Sequence, residues 1–159
     1  MNSFGRIMVV DDEEDIRKVI TIYLEKVGYE VVSAKDGQDA LNKFRKGHFD
    51  VILSDLTMPE LDGLELLDKI REFDKDVIFL MITGHPSIET AVNAIKKGAY
   101  DYIEKPVQLE EMKMKIERAF ENKYLKEQLR ASRGFTLAFV VSIALWLILA
   151  AYIVTKIIK

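Results

Sequence analysis

The sequence predicts an α/β protein in which five βα units wind into one parallel sheet with helices on both faces. Two observations predict it. Short unbroken apolar runs, of the kind that suit strands buried on both faces, alternate along the chain with stretches of helical periodicity. Polar residues with chemical potential also follow one apolar run after another. Alternation of this kind builds a doubly wound sheet.

The first strand is carried by Ile7–Val10 and gives way to DDEED. Ile16, Val19, Ile20, Tyr23, Leu24 and Val27 then recur at i, i+3, i+4 and i+7, and Gly28 stands where a helix stop is expected. Val31 and Val32 mark the second strand, and Ala40, Leu41 and Phe44 a second helix that stops near Gly47. Val51–Leu53 is the third strand, followed by a helix on Leu64, Leu67 and Ile70. Val77–Ile82 is the fourth, followed by a helix on Ile88, Ala91, Val92 and Ile95 that Gly98 closes. Tyr100–Ile103 is the fifth strand, and Leu109, Met112, Ile116, Ala119 and Phe120 form the apolar face of a fifth helix.

In such sheets the working site lies beyond the carboxyl ends of the strands. Asp11 and Asp12 follow the first strand, Asp55 the third, Thr83 the fourth and Lys105 the fifth. Three carboxylates at one mouth raise one another's pKa unless a cation joins them. A hard divalent ion with oxygen ligands resolves the conflict, and Mg²⁺ suits a site that also shares a phosphate. Lys105 and Thr83 supply a positive charge and a hydroxyl to a phosphoryl group. Asp55 is then the nucleophile, since a carboxylate accepts phosphoryl to give an acyl phosphate.

From about Arg6 to Phe120 the chain resembles a response-regulator receiver domain of two-component signalling, with the flavour of nitrogen-regulator receivers. The matching stretches are VVDDEEDIR at 9–17, LSDLTMPELDGLEL at 53–66, MITGH at 81–85 and AYDYIEKP at 99–106. The resemblance implies a flavodoxin-like sheet of order 2-1-3-4-5. It implies Asp55 as phosphoacceptor, Mg²⁺ on Asp12, Asp55 and the backbone carbonyl of Thr57, and Asp11 acting through metal-bound water. It implies that Thr83 and Lys105 contact the phosphoryl group, that Tyr102 is a switch aromatic, and that the Lys105–Pro106 peptide is cis. It also implies that Thr57 and His85 occupy positions flanking the phosphoryl group that adjust its hydrolysis. The phosphodonor implied is a histidine kinase or a phosphotransfer protein. The chain is then no turnover enzyme; its chemistry is Mg²⁺-dependent self-phosphorylation and self-dephosphorylation. Glu13 and Glu14 are read as negative charge at a helix N-terminus, and His48 as a surface residue.

Composition narrows the partners. Residues 1–107 hold 14 Lys/Arg against 21 Asp/Glu, so the main domain is a poor nucleic-acid binder. There is no cysteine, which excludes disulfides and thiolate metal sites. The first apolar run is too short for a signal peptide. Phe135–Val154 is twenty residues without a charge, long enough as a helix to cover roughly 30 Å. These features predict four segments: a receiver at 1–121, a helical stalk at 122–134, a membrane-spanning helix at 135–155 that meets lipid, and a basic tail at 156–159. Arg130 and Arg133, backed by Lys123 and Lys126, outweigh Lys156 and Lys159, which places the receiver in the cytoplasm of a bacterial or archaeal cell, single-pass at the inner membrane. An unidentified output protein at that membrane is expected. Homodimers are an option through the stalk or through the Ala138 and Ser142 pair.

Readings from other classes are a haloacid-dehalogenase-type phosphatase, which needs an Asp-x-Asp where this chain has Glu13, and a scaffold whose pocket takes no phosphate. A truncated transcription regulator with a chance apolar tail is a further option.

Overall fold

The computed structural model describes residues 4–84 and 87–129, together with 142, 143 and 146. Five parallel strands, β1 (Arg6–Val10), β2 (Glu30–Ala34), β3 (Val51–Asp55), β4 (Ile78–Thr83) and β5 (Asp101–Glu104), form one sheet in the order β2-β1-β3-β4-β5. The helices are α1 (Glu14–Lys26), α2 (Gly37–Lys43), α3 (Gly63–Phe73), α4 (Ile88–Lys97) and α5, residues 109–129. The compact unit that carries the sheet ends at Ala119, and a second unit begins at Phe120.

β3 and β4 are buried along their whole length, which is why the sequence shows continuous apolar runs there and no alternation. Met8, Val10, Ile52, Phe79 and Met81 pack with Ala40, Leu66, Leu67, Ile70 and Ala94, so this sheet face is covered by α2, α3 and α4. The alternating residues Ile7, Val9, Leu53, Leu80 and Ile82 are equally buried and point to the other face. That face belongs to α1 and α5, whose buried residues are Ile20, Leu24, Met112, Ile116 and Ala119.

One expected helical stripe is not the face that packs. On α4 the buried residue is Ala94, while Ile88 is 86% exposed, Val92 45% and Ile95 47%. On α1 the expected stripe does pack, with Ile20 and Leu24 buried and Ile16, Tyr23 and Val27 partly buried, and only Val19 of it stands in solvent. A short helix against a sheet buries one narrow line, and small Ala94 allows the close approach that isoleucine prevents. The helix ends follow local chemistry. α3 starts in a capping box between Asp62 and Glu65, and α4 in one between Ser87 and Thr90. Gly98 closes α4 at φ 100°, a left-handed conformation that favours glycine.

The span predicted over 135–155 and the basic tail at 156–159 lie outside the described residues, apart from Ser142, Ile143 and Trp146. The stalk predicted over 122–134 is helical as far as 129. Among the described residues no helix is long and apolar enough to cross a membrane.

Candidate functional site

Sheet register assembles the site. Val10 pairs with Ser54, so the next residues along each strand, Asp11 and Asp55, emerge side by side. Thr83 pairs with Glu104, and the Lys105 N–H donates to the Thr83 carbonyl at 2.8 Å, which sets Lys105 at the same rim. Its side chain then reaches across β4. Lys105 Nζ lies 2.7 Å from Asp55 Oδ2, 3.1 Å from Asp11 Oδ2 and 2.9 Å from Glu13 Oε1. The Lys105–Pro106 peptide is cis.

One ammonium thus faces three carboxylates, two of them nearly dry, with Asp11 0% and Asp55 4% exposed, while Glu13 reaches it from the solvent side. Burial pushes the Asp11 carboxyl above its ordinary value, and the neighbouring Asp55 charge adds to the push, against the Glu13 N–H and Lys105. For Lys105 burial works against the charge, but hydrogen bonds donated to Asp55 and Glu13, with the nearby Asp11 carboxylate, outweigh it and hold the ammonium's pKa above its ordinary value.

Asp11, Asp12 and Asp55 can each bring one carboxylate oxygen within 4.8 Å of the others. Asp12 is exposed, so the cluster opens to solvent on that side. Asp11 Oδ2 is buried, yet it accepts no hydrogen bond of good geometry among the described residues, despite the ammonium nearby. An all-oxygen donor set with an under-satisfied buried lone pair fits a hard divalent cation such as Mg²⁺.

The other expected residues fall around this centre. The Thr57 N–H donates to Asp55 Oδ1 at 3.3 Å, which fixes the carboxylate from the loop side. Thr83 ends β4 and is 5% exposed. Tyr102, on β5, is 37% exposed and borders a narrow hollow that it shares with Leu56, Thr83, Thr90 and Ala94. Lys115 from α5 donates to the Tyr102 carbonyl at 2.7 Å and sits 5.3 Å from the centre of its ring. His85 lies outside the described residues. His48 is exposed, in the loop before β3.

Three contributors were not legible as such in the sequence. Glu13, expected only to bias a helix end, is the α1 N-cap, but its side chain makes no capping bond and is spent on Lys105. Arg17 donates to the carbonyls of Asp11 and Asp12 and so pins the acidic loop from below. A Cβ at Gly63 would run into the Asp55 carbonyl oxygen and the Met81 sulfur, so only glycine lets α3 start against the phosphoacceptor candidate. Arg17 lies inside the stretch whose apolar period, Ile16 to Val27, marks a helix; nothing in the sequence showed what it reached.

The profile of the response regulator receiver domain matches residues 7–117. The nitrogen assimilation regulatory protein NtrX of Azorhizobium caulinodans is 41% identical over 132 residues, which is 82% of this chain and 29% of that protein. The regulatory protein AtoC of Escherichia coli is 35% identical over 130 residues, again 82% of this chain and 28% of its own length. The chain therefore spans under a third of these curated relatives. Among solved structures, a receiver domain protein from Methanospirillum hungatei aligns with a TM-score of 0.74 at 32% identity, covering 78% of this chain and 99% of that one. NtrX from Brucella abortus aligns with a TM-score of 0.72 at 39% identity, covering 79% of this chain and 28% of that one. With the sheet order, the rim of acids and the lysine already in place, these matches settle the family: the chain belongs to the response regulator receiver domains.

Proposed function

We propose that Asp55 accepts a phosphoryl group from the phosphohistidine of a histidine kinase or phosphotransfer protein, and that the chain signals through the resulting change of shape. The observation that carries this reading is the buried Asp55 carboxylate, aimed at the rim with Lys105 at 2.7 Å. In the transfer an Asp55 carboxylate oxygen bonds to phosphorus as the phosphorus–nitrogen bond breaks. The electron pair of that bond stays on the imidazole nitrogen, and an acyl phosphate remains on Asp55. Lys105 supplies positive charge to the phosphoryl oxygens, and Thr83 a hydroxyl. Asp11, Asp12 and Asp55, with the Thr57 carbonyl, would hold Mg²⁺, which when bound neutralises charge on the phosphoryl group. The chain's catalytic repertoire is then its own phosphorylation and dephosphorylation, which Thr57 and His85 tune.

The new charge biases two arrangements of the Thr83 loop, Tyr102 and α4. Tyr102 stands half out of a hollow that Thr83 and α4 share, and the exposed Ile88, Val92 and Ile95 supply α4 with an apolar outer face. An output protein binds there. The uncharged stretch Phe135–Val154 and the flanking Arg130 and Arg133 support a single membrane span with the receiver on the cytoplasmic side. Tethering of that kind raises the local concentration near a membrane kinase.

Intact-mass spectrometry of the detergent-purified chain after treatment with acetyl phosphate and Mg²⁺ tests the central reading. One phosphoryl adduct is expected on the wild type, and none on Asp55→Asn or in excess EDTA. An unmodified wild type, or an adduct that survives Asp55→Asn, defeats it. For the tether, recovery of the chain in the soluble fraction after a carbonate wash would count against the span.

A further inference from the structure

We propose that Glu13 is a counterion that holds Lys105 in the unmodified site and opposes the arrival of a phosphoryl group. This rests on the reading of Asp55 as phosphoacceptor and concerns a different residue and a different quantity.

A lysine ammonium has three protons to donate. Lys105 Nζ donates to Asp55 at 2.7 Å and to Glu13 at 2.9 Å, and it lies 3.1 Å from the Asp11 carboxylate as an ion pair. A phosphoryl oxygen therefore shares Lys105 with carboxylates that already hold it, and gains it fully when one of them gives way or loses its charge. Asp55 gives up its own charge by becoming the ester. Asp11 has no freedom to withdraw: its side chain is 0% exposed, and its other oxygen already accepts the Glu13 N–H at 2.9 Å. Glu13 is the partner built to move. Its side chain is 59% exposed, and solvent can take it up when it lets go.

The local structure shows that this contact is chosen over another. Glu13 is the α1 N-cap with extended backbone, φ −75° and ψ 105°, yet its carboxylate makes no bond to the helix. At α2, α3 and α4 the N-cap side chain accepts from the third residue of the helix. Glu13 instead crosses 92 positions of sequence to Lys105. The next residue, Glu14, is a neutral comparison, since it is an equal charge paired with Lys18 on the helix surface. In the phosphorylated state Glu13 either surrenders its proton donor or stands beside added negative charge, and both favour the unmodified form.

Beryllofluoride, formed from Be²⁺ and fluoride, is a phosphoryl mimic whose binding is read by ¹⁹F NMR without turnover. At saturating Mg²⁺, Glu13→Gln should bind it about two- to fivefold more tightly than wild type, the span of a partly exposed ion pair. Glu14→Gln should match wild type. Glu13→Asp keeps the charge but shortens the reach, so it should follow Glu13→Gln if the Lys105 contact matters. If Glu13→Asp behaves as wild type, bulk repulsion of anions is the whole effect and the counterion role is overturned. Equal affinity of Glu13→Gln and wild type also overturns it and leaves the Asp55 reading intact. A wild type that binds no beryllofluoride at all brings down both.

Discussion

Lys105 Nζ and Asp55 Oδ2 meet at 2.7 Å across 50 residues of sequence, with 14% and 6% of their side chains exposed. The pair joins the end of β5 to the end of β3 over the strand between them. Its energetics depend on what else is present. Without Lys105, Asp11 and Asp55 are two nearly dry carboxylates facing each other, and breaking a buried charge pair by removing one partner is costly.

Lys105→Met should therefore destabilise the metal-free protein by about 2–3 kcal/mol, below the figure for a fully enclosed pair because Glu13 and solvent share the load. Millimolar Mg²⁺ should restore most of that loss, since a bound cation replaces the missing charge. Urea unfolding in EDTA and in Mg²⁺ reads both numbers. A variant that Mg²⁺ cannot rescue would show that the acids do not form a cation site.

The Asp11 carboxyl supplies a pH signature. Burial raises its folded pKa above the ordinary 3.8, so the folded state binds the proton more tightly than the unfolded chain. Its contribution to metal-free stability is fully present below the unfolded value and is lost as pH rises through the raised folded value. Mg²⁺ needs the carboxylate and runs the other way. The rise in Tm that Mg²⁺ brings should shrink on acidification from about pH 8 to about pH 4.5, and the metal-free protein should lose less stability than a surface-only account expects. In Asp11→Asn the Mg²⁺ shift should be small at every pH. A Mg²⁺ shift that stays flat down to the acid limit in wild type would remove Asp11 from the site.

Gly63 is a steric test. The atoms that a new Cβ would strike are the Asp55 carbonyl oxygen, the Met81 sulfur and the Leu56 Cα, two of them backbone. Backbone cannot rotate away, so Gly63→Ala should cost about 1–3 kcal/mol, the range for overpacking, and should weaken beryllofluoride binding by displacing Asp55. Urea unfolding and ¹⁹F titration on the same sample measure the two effects. Wild-type values in both would mean that α3 has slack at its start.

The frame of the molecule was open to reading because it rests on local signals. Continuous apolar runs announced β3 and β4, and glycine closed α4 where the period ended. Asp11, Asp55 and Lys105 were visible as strand-end residues because parallel βα topology sends every such end to one rim. What the sequence hid depends on reach and on burial depth. Ile88, Val92 and Ile95 have helical spacing, but spacing cannot tell a face packed on the sheet from one left in solvent; Ala94 decided that by its size. Glu13 looked like helix-end charge, and only the fold shows a side chain passing over its own helix to meet Lys105. Gly63 sits in the run PELDG, where glycine is an ordinary turn residue, whereas its requirement is the closeness of Asp55 from another element.

The last prediction concerns the Tyr102 ring. Lys115 holds that residue in two ways, through a hydrogen bond to its carbonyl at 2.7 Å and through an ammonium 5.3 Å from the ring centre, while Asp101 at 2.9 Å anchors the lysine itself. The cation–π contact at such an exposed site is worth about 0.5–1 kcal/mol, enough to shift a two-state ratio roughly two- to fivefold. Lys115→Met keeps the aliphatic stem and removes the charge, so the outward ring should lose that advantage and enter the hollow beside Thr83 more often. The carbonyl bond disappears too, but it holds backbone that β5 already pairs with β4. Aromatic ¹³C NMR of Tyr102 in the unmodified protein should show its ring shifts displaced toward those of the beryllofluoride-bound wild type. Thr83→Val should leave the resting spectrum close to wild type and reduce the displacement on beryllofluoride binding, because it removes the hydroxyl and keeps the volume. A Lys115→Met spectrum identical to resting wild type would mean that packing of β5 alone keeps the ring outside, and the lysine would then be a surface anchor for α5.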